Sequence, residues 1–369
     1  MKWETVEIGQ IGEVITGNTP PRKNPELYGD YIPFIKPTDM EIDRRYTPNP
    51  EECYSELGFE KYRNSLIPKG ATCVVTIGSI GKKMTQAYCD CFINQAVNAV
   101  IPNENYDKDF VYYLLKNNLD KVKGLDSGTS SGRENVSKSA FSSIEVKVVK
   151  HLPTQHKIAS ILSAYDDLIE NNLKRIKLLE EKALMEYRIL FKENELMEFP
   201  IENVWEIKYG KNLPQTKITE FGKYPVYGAA GRIGFYEEFN FEFPVALVTS
   251  RGNGSGVAHR TNQTSFVTNN SFAFVPKEEF VNVHFHLAEM ILRDLELTQL
   301  RSGTAQPQLT IAGLIGVKLK LPNKEALIEY NKIVDPSFDL IHTLEKQNTK
   351  LREARDILLP KLMNGQIEV

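Results

Sequence analysis

The sequence contains no long hydrophobic run, no secretory leader and only four cysteines, Cys53, Cys73, Cys89 and Cys91, in 369 residues. These absences argue against a membrane span, export and a disulfide-held fold, so a reduced cytoplasmic protein is expected. Metal-ligand clusters are also missing. Cys89-Asp90-Cys91 has no histidine or second cysteine pair near it and reads as part of a strand, while His284 and His286 have no carboxylate or cysteine cluster nearby and read as structural. Charge of one sign is scarce too, with 45 Lys and Arg against 48 Asp and Glu and a net charge of −3. A nucleic-acid surface must therefore be local; residues 205–322 carry twelve basic against ten acidic side chains, and both helical segments are net negative. No nucleotide-binding P-loop is present. Gly252-Asn253-Gly254-Ser255-Gly256 lacks the strand-to-helix setting and downstream acid of a dinucleotide site, and no Ser, His and acid arrangement is suggested.

What the chain does have is a long charged helix, predicted from about Gln155 to Leu196. Ile161, Tyr165, Leu168, Asn172, Ile176, Leu179, Ala183, Tyr187 and Leu190 fall on one stripe, with Lys174, Lys177, Glu180, Glu181 and Glu186 off it. At about 1.5 Å per residue it would run about 60 Å. A second stripe, Leu340, Leu344, Gln347, Leu351, Ala354 and Leu358, alternates steps of four and three, the coiled-coil spacing. Each seam carries one amide, Asn172 and Gln347, of the kind that fixes register at some cost in stability. The helix-pairing positions are thus Ile161, Leu168, Asn172, Ile176 and Leu179 against Leu340, Leu344, Gln347, Leu351 and Leu358.

The rest of the chain is written twice. Ile11 to Pro20 reads as a strand ending in a turn, Cys73 to Gly78 as a buried strand followed by a glycine loop, Asp109 to Leu119 as a helix, Ser127 to Arg133 as a polar loop, and Ile144 to Val149 as a strand. Glu206 to Pro214 echoes the first turn, with Gly210 lying 193 residues after Gly17. Ala246 to Gly252 echoes the strand and loop, Asn269 to Pro276 echoes Asn94 to Pro102, Ser302-Gly303-Thr304 repeats Ser127-Gly128-Thr129, and Leu321-Pro322 repeats Leu152-Pro153. The second copy is some twenty residues shorter, mostly opposite the stretch 40–65. Such a repeat implies domain, helix, domain, helix, with approximate two-fold symmetry inside one chain. Two similar heads on a spacer suit a partner that repeats along a line, and DNA is the obvious one.

The runs Leu152-Pro153-Thr154-Gln155-His156-Lys157-Ile158-Ala159-Ser160-Ile161-Leu162 and Tyr165 to Asn172 resemble the central conserved region of type I restriction-modification specificity subunits. Leu351 to Ile367 resembles that family's C-terminal conserved region. The resemblance covers the whole chain, with departures: Thr154 stands where the family usually has an acidic residue, the proline segment is shortened, and Leu321 to Val334 keeps only the Leu-Pro and the helical continuation. It implies an α+β chain with target-recognition domains at 1–151 and 199–322, each a twisted sheet with short helices. They would be separated by two long antiparallel coiled-coil helices at 152–198 and 323–369. It further implies a non-catalytic, nucleoid-associated cytoplasmic subunit that reads a bipartite double-stranded DNA target. Its partners would be two DNA adenine methyltransferase subunits and restriction/translocase subunits, with no membrane partner. No cofactor belongs to the chain itself; S-adenosylmethionine, ATP and Mg would sit on the partners. Isolated, the chain is expected to self-associate or bind DNA weakly.

A DNA reader needs cations for phosphates and amides, hydroxyls or arginines for base edges. In the first copy the candidates are Arg22, Lys23, Lys82, Lys83, Thr129, Ser130, Ser131 and Arg133. In the second they are Gln215, Lys217, Arg232, Ser250, Arg251, Asn253, Arg301, Thr304, Gln306 and Gln308. Three loop sites are polar or basic at matching places while their residue types differ, as expected of one scaffold reading two half-sites. For any one residue, a solvated loop charge is the plainer account. Two other readings compete. Asp126, Glu145 and Lys147 resemble the pattern of a Mg-dependent nuclease, but the matching Gly316-Val317-Lys318 lacks the carboxylate. A coiled-coil scaffold with two binding modules and no nucleic acid is the other, separable by the salt dependence of binding. Asp335-Pro336-Ser337-Phe338 resembles an amino-methyltransferase tetrapeptide without its second proline and reads as a helix N-cap followed by Pro at the first helical position.

Overall fold

The computed structural model describes residues 2–125, 134–220, 222–229, 231–303 and 307–369. The chain divides into two compact units, residues 1–173 with 346–369 and residues 174–345. Two long helices, Leu152–Glu193 and Lys324–Met363, each contribute to both.

In the first unit, the run Thr72–Val75 is apolar enough to be buried on both faces and forms an inner strand. It lies in a four-stranded sheet ordered Gly12–Thr16, Val97–Pro102, Thr72–Val75, Met84–Gln86. A smaller sheet is ordered Tyr28–Gly29, Glu52–Tyr54, Ile32–Ile35, Phe92–Ile93, its last two strands being parallel. Glu145–Val149 alternates outward Glu145 and Lys147 with inward Val146 and Val148 and pairs with Trp3–Glu7. The helix Lys108–Lys116 is started by Asp107, whose carboxylate accepts from the Phe110 N–H at 2.8 Å. Gln155 then ties the first long helix to this unit: its Oε1 accepts from the Asp107 N–H at 2.8 Å, and its Nε2 donates to the Val149 carbonyl at 2.8 Å.

The second unit repeats the plan. Trp205–Tyr209, Ser271–Pro276, Ala246–Thr249 and Ala258–Arg260 form a sheet of the same strand order. Gly231–Tyr236, Tyr224–Gly228 and Phe266–Val267 form the smaller sheet, again closed by a parallel pair, and Met197–Pro200 pairs with Lys318–Leu321. That smaller sheet has three strands rather than four; the segment 40–65 supplies Glu52–Tyr54 and the helix Glu56–Tyr62 in the first unit. The turn after the first sheet strand is reproduced bond for bond. Gly17 N donates to Val97 O at 3.2 Å and Asn18 N to Ile93 O at 3.0 Å; Gly210 N donates to Ser271 O at 3.2 Å and Lys211 N to Val267 O at 2.9 Å.

Within each unit the long helices run antiparallel. In the first, Asp166 meets Arg355 and Asn172 meets Asn348, so one number falls as the other rises. In the second, Glu180 lies within electrostatic reach of Glu345, and Leu190 shares a cleft with Tyr330. Gln155, Ile158, Ala159, Leu162, Asp166, Ile169 and Asn172 are buried along the first helix. Leu327, Tyr330, Asn331, Val334, Phe338, Ile341 and Leu344 are buried along the second at the same spacing, 172 residues on. Ala183, Tyr187 and Leu190 answer to Arg355, Leu359 and Leu362 in the same way.

The phase of the seam differs from the heptad reading at three expected positions. Ile161 and Leu168 are 37% and 53% exposed, and their neighbours Leu162 and Ile169 face inward instead. Gln347 is exposed, and the amide that reaches Asn172 is Asn348, whose Oδ1 accepts from Asn172 Nδ2 at 2.9 Å. A straight helix turns every 3.6 residues and drifts off a strict seven-residue repeat, so the buried line moves by one position along the rod. Of the other expected seam positions, Leu344 is buried, and Ile176, Leu179, Leu340, Leu351 and Leu358 are partly covered. Asp335 and Pro336 also depart from expectation: they sit inside Lys324–Met363, well past its first turn, and do not cap it.

Candidate nucleic-acid interface

The sheet geometry brings the same two loops together in each unit. In the first, the strand Thr72–Val75 runs into a loop at Thr76, and the chain beyond Glu134 returns to it: Val136 N donates to Thr76 O at 2.9 Å and Gly78 N to Glu134 O at 3.1 Å. In the second, Leu309 N donates to Ser250 O at 2.8 Å and Gly252 N to Pro307 O at 3.0 Å. Gly78 and Gly252 both turn the loop with positive φ, +88° and +83°, and neither has an atom within 4 Å of where a Cβ would stand. Each is an open, glycine-turned corner that a linear ligand can approach closely.

The corners differ in their side chains. In the second unit Arg251 and Asn253 are exposed beside exposed Gln308, whose backbone bridges to both Arg251 and Ser302. Arg301 donates through Nε to Ser255 O at 2.6 Å, so it braces the loop with part of its guanidinium. Ser250 is a correction: it is 2% exposed and its hydroxyl donates inward to Asn269 O at 3.3 Å, as its place at the end of a fully buried strand dictates. Gln215 and Lys217 lie exposed on a short turn, and Arg232 lies exposed with its guanidinium 5.2 Å from the Phe235 ring centre. In the first unit Lys23 and Lys82 are exposed, Lys83 donates to Pro37 O at 2.9 Å, and Arg22 pairs with Glu52 at 2.8 Å over the Tyr28 ring. Thr129, Ser130, Ser131 and Arg133, with Asp126, lie outside the described residues, as do Thr304 and Gln306.

Sequence reasoning missed the buried arginines, because a charge in a core leaves no hydropathy signal. Arg45, 2% exposed, pairs with Asp109 at 2.5 Å and lies over the rings of Tyr46, Tyr112 and Tyr113. Burial pushes the Tyr46 phenol up to about 12. In the second unit the partly buried Arg260, at the strand position that Gln86 holds in the first, pairs with Glu289 and lies 5.0 Å from the Phe338 ring centre. Of the cysteines, Cys91 is buried, which pushes its thiol up, and Cys89 is exposed. The metal-ligand grouping among the described residues is elsewhere, at His284, His286 and Asp335. No helix is long and apolar enough to cross a membrane among the described residues.

The comparisons agree with this doubled plan. The family described as "Type I restriction modification DNA specificity domain" matches residues 1–181 and again 193–353. The chain is 26% identical over 408 residues to the type I restriction enzyme MjaIX specificity subunit of Methanocaldococcus jannaschii, covering all of this chain and 94% of that one. Over 197 residues, 52% of this chain and 48% of the relative, it is 26% identical to the EcoR124I/EcoR124II specificity subunit of Escherichia coli. Among solved structures, the S subunit of a type I restriction-modification system from M. genitalium superposes with a TM-score of 0.61 at 20% identity, covering 98% of this chain and 96% of that one, a likeness of fold. With the family matched once on each half of a chain whose halves share one topology, this protein belongs to the type I restriction-modification specificity subunits.

Proposed function

We propose that this specificity subunit reads a split double-stranded DNA sequence, one half-site per unit, and that methylation and cleavage belong to partner subunits rather than to this chain. The observation that carries the reading is the duplicated corner. The same two hydrogen bonds and the same left-handed glycine hold the loop in both units, while exposed side chains beside it differ, with Arg251, Asn253 and Gln308 in the second. A constant frame with variable polar tips is what reading two different base sequences requires. The exposed cations Lys23, Lys82 and Lys217 serve phosphates in this reading. The net charge of −3 is no obstacle, because the contact is confined to loops.

The outward faces of the long helices would dock two adenine methyltransferase subunits, with restriction subunits joining that complex. S-adenosylmethionine, ATP and Mg would then be held by the partners. Mapping methylated adenines in DNA from cells with and without the chain tests this directly. A two-part motif that disappears with the chain is expected; an unchanged methylation map would sink the proposal. Arg251→Ala should weaken discrimination in one half of the motif only, by roughly 1–3 kcal/mol for a bidentate base contact. An equal loss at both halves would make Arg251 a phosphate contact.

A further inference from the structure

We infer that the second unit binds one divalent transition-metal ion of the zinc class on His284, His286 and Asp335. His284 occupies the N-cap position of the helix Phe285–Asp294, in extended conformation at φ −61°, ψ 156°, and His286 is the second residue of that helix. Asp335 comes from the second long helix, Lys324–Met363. Its Oδ1 lies 3.2 Å from His284 Nδ1 and 3.3 Å from His286 Nε2, and one donor atom from each of the three residues falls within 4.8 Å of the others.

The two separations from Asp335 Oδ1 match a coordination edge. Two donors each about 2.0–2.1 Å from a tetrahedral zinc stand about 3.3–3.4 Å apart. Two imidazoles and one carboxylate suit zinc, cobalt or nickel rather than the all-oxygen shells of magnesium and calcium.

The second observation is His286 itself. It is 1% exposed, and neither ring nitrogen makes a hydrogen bond. An imidazole buried with no hydrogen bond, its Nε2 facing the Asp335 carboxylate at 3.3 Å, carries a desolvation cost that a ligated cation would remove. Its ring is fixed by stacking on Phe338, with centres 4.3 Å apart, and by an edge contact with Phe285 at 5.2 Å. His284 and Asp335 are partly exposed, which leaves an entry path and room for a water as fourth ligand. In the first unit the helix at the matching place starts on Asp107 with Asp109 two residues on, so the ligand set belongs to the second copy alone. The ion would pin the short helix to the long one. This does not depend on the DNA-reading proposal.

The test uses the full chain without an affinity tag, titrated with Zn²⁺ by calorimetry and with Co²⁺ as a spectroscopic probe. One equivalent per chain is expected, with visible Co²⁺ bands, no thiolate-to-metal band, and a thermal midpoint that rises with Zn²⁺. His284→Ala and Asp335→Asn, both at partly exposed positions, should each weaken binding at least tenfold and abolish that rise. Three results overturn the inference: no Zn²⁺ binding at millimolar concentration, binding unchanged in both variants, or thermal losses in Asp335→Asn that are the same with and without metal. The last would mean that the carboxylate only braces the helix.

Discussion

Arg355 donates through Nη1 to Asp166 Oδ1 at 2.5 Å, and both side chains are sealed from solvent, at 0% and 2% exposure. The second carboxylate oxygen accepts from the Tyr113 hydroxyl, also at 2.5 Å. The equivalent positions in the other unit, 172 residues away, are Phe338 and Ala183, both buried in an apolar cluster. One architecture thus packs a charged pair in one place and an aromatic against a methyl in the other.

Removing Arg355 leaves the buried Asp166 with only the Tyr113 hydroxyl, whereas removing Asp166 leaves Arg355 with Asp356 at 2.9 Å and Asp43 at 3.8 Å. Arg355→Ala is expected to destabilise the protein by about 3–5 kcal/mol and Asp166→Ala by less, because Arg355 keeps Asp356, and the double variant should lose clearly less than the sum of the two. Urea unfolding of all four proteins completes the cycle. Strict additivity would show that the two groups do not depend on each other.

Asn172 and Asn348 form a sealed amide pair, and their equivalents are Leu344 and Ile176. Asn172→Leu alone orphans the Asn348 side chain and should cost about 1–3 kcal/mol. Asn172→Leu with Asn348→Ile copies the other unit and should recover most of that loss. A double variant less stable than the single one would refute the equivalence; the unfolding midpoint reports it.

Two glycines separate steric from conformational cost. A Cβ on Gly210 would lie 2.0 Å from Thr268 O, as one on Gly17 would lie 2.1 Å from Ile93 O. A Cβ on Gly252 meets nothing within 4 Å, and there only the φ of +83° is strained. Gly252→Ala should therefore cost about 1–2 kcal/mol. Gly210→Ala should cost clearly more, because backbone must move. Comparable unfolding midpoints for the two variants would contradict this.

Burial raises the phenols of Tyr46, Tyr112 and Tyr113 above the ordinary value of about 10. Their folded-state values exceed the unfolded one, so their contribution to stability is intact below pH 10 and is lost as pH climbs through the folded-state values, about 12 for Tyr46. Phenolate absorbance followed with circular dichroism should show a late fraction of tyrosines ionising together with unfolding. Full ionisation near pH 10 with the dichroism intact would argue against it.

The repeat was legible because backbone demands select residues that leave marks in sequence. Gly17 and Gly210 are required by carbonyls at 2.1 and 2.0 Å, and the buried strands Thr72–Val75 and Ala246–Thr249 demand short apolar runs. The seam was legible in outline and misplaced by one position at Ile161, Leu168 and Gln347, since Ile161-Leu162 and Leu168-Ile169 are adjacent apolar pairs that periodicity alone does not separate. Asp166, Arg355 and Arg45 were invisible because their partners are chosen by tertiary contact. The same holds for Asp335, which meets His284 across 51 residues of sequence.

The unlike chemistry of the two seams also decides what the halves can do apart. Two copies of the first half, closing on each other, would set Asp166 against Ala183 and Asn172 against Ile176. Two copies of the second would set Arg355 against Phe338 and Asn348 against Leu344. Either twin assembly sets an ion and an amide against apolar side chains and loses the pairings seen between the unlike halves. The unlike seams therefore favour each half closing on its sibling over closing on its own duplicate.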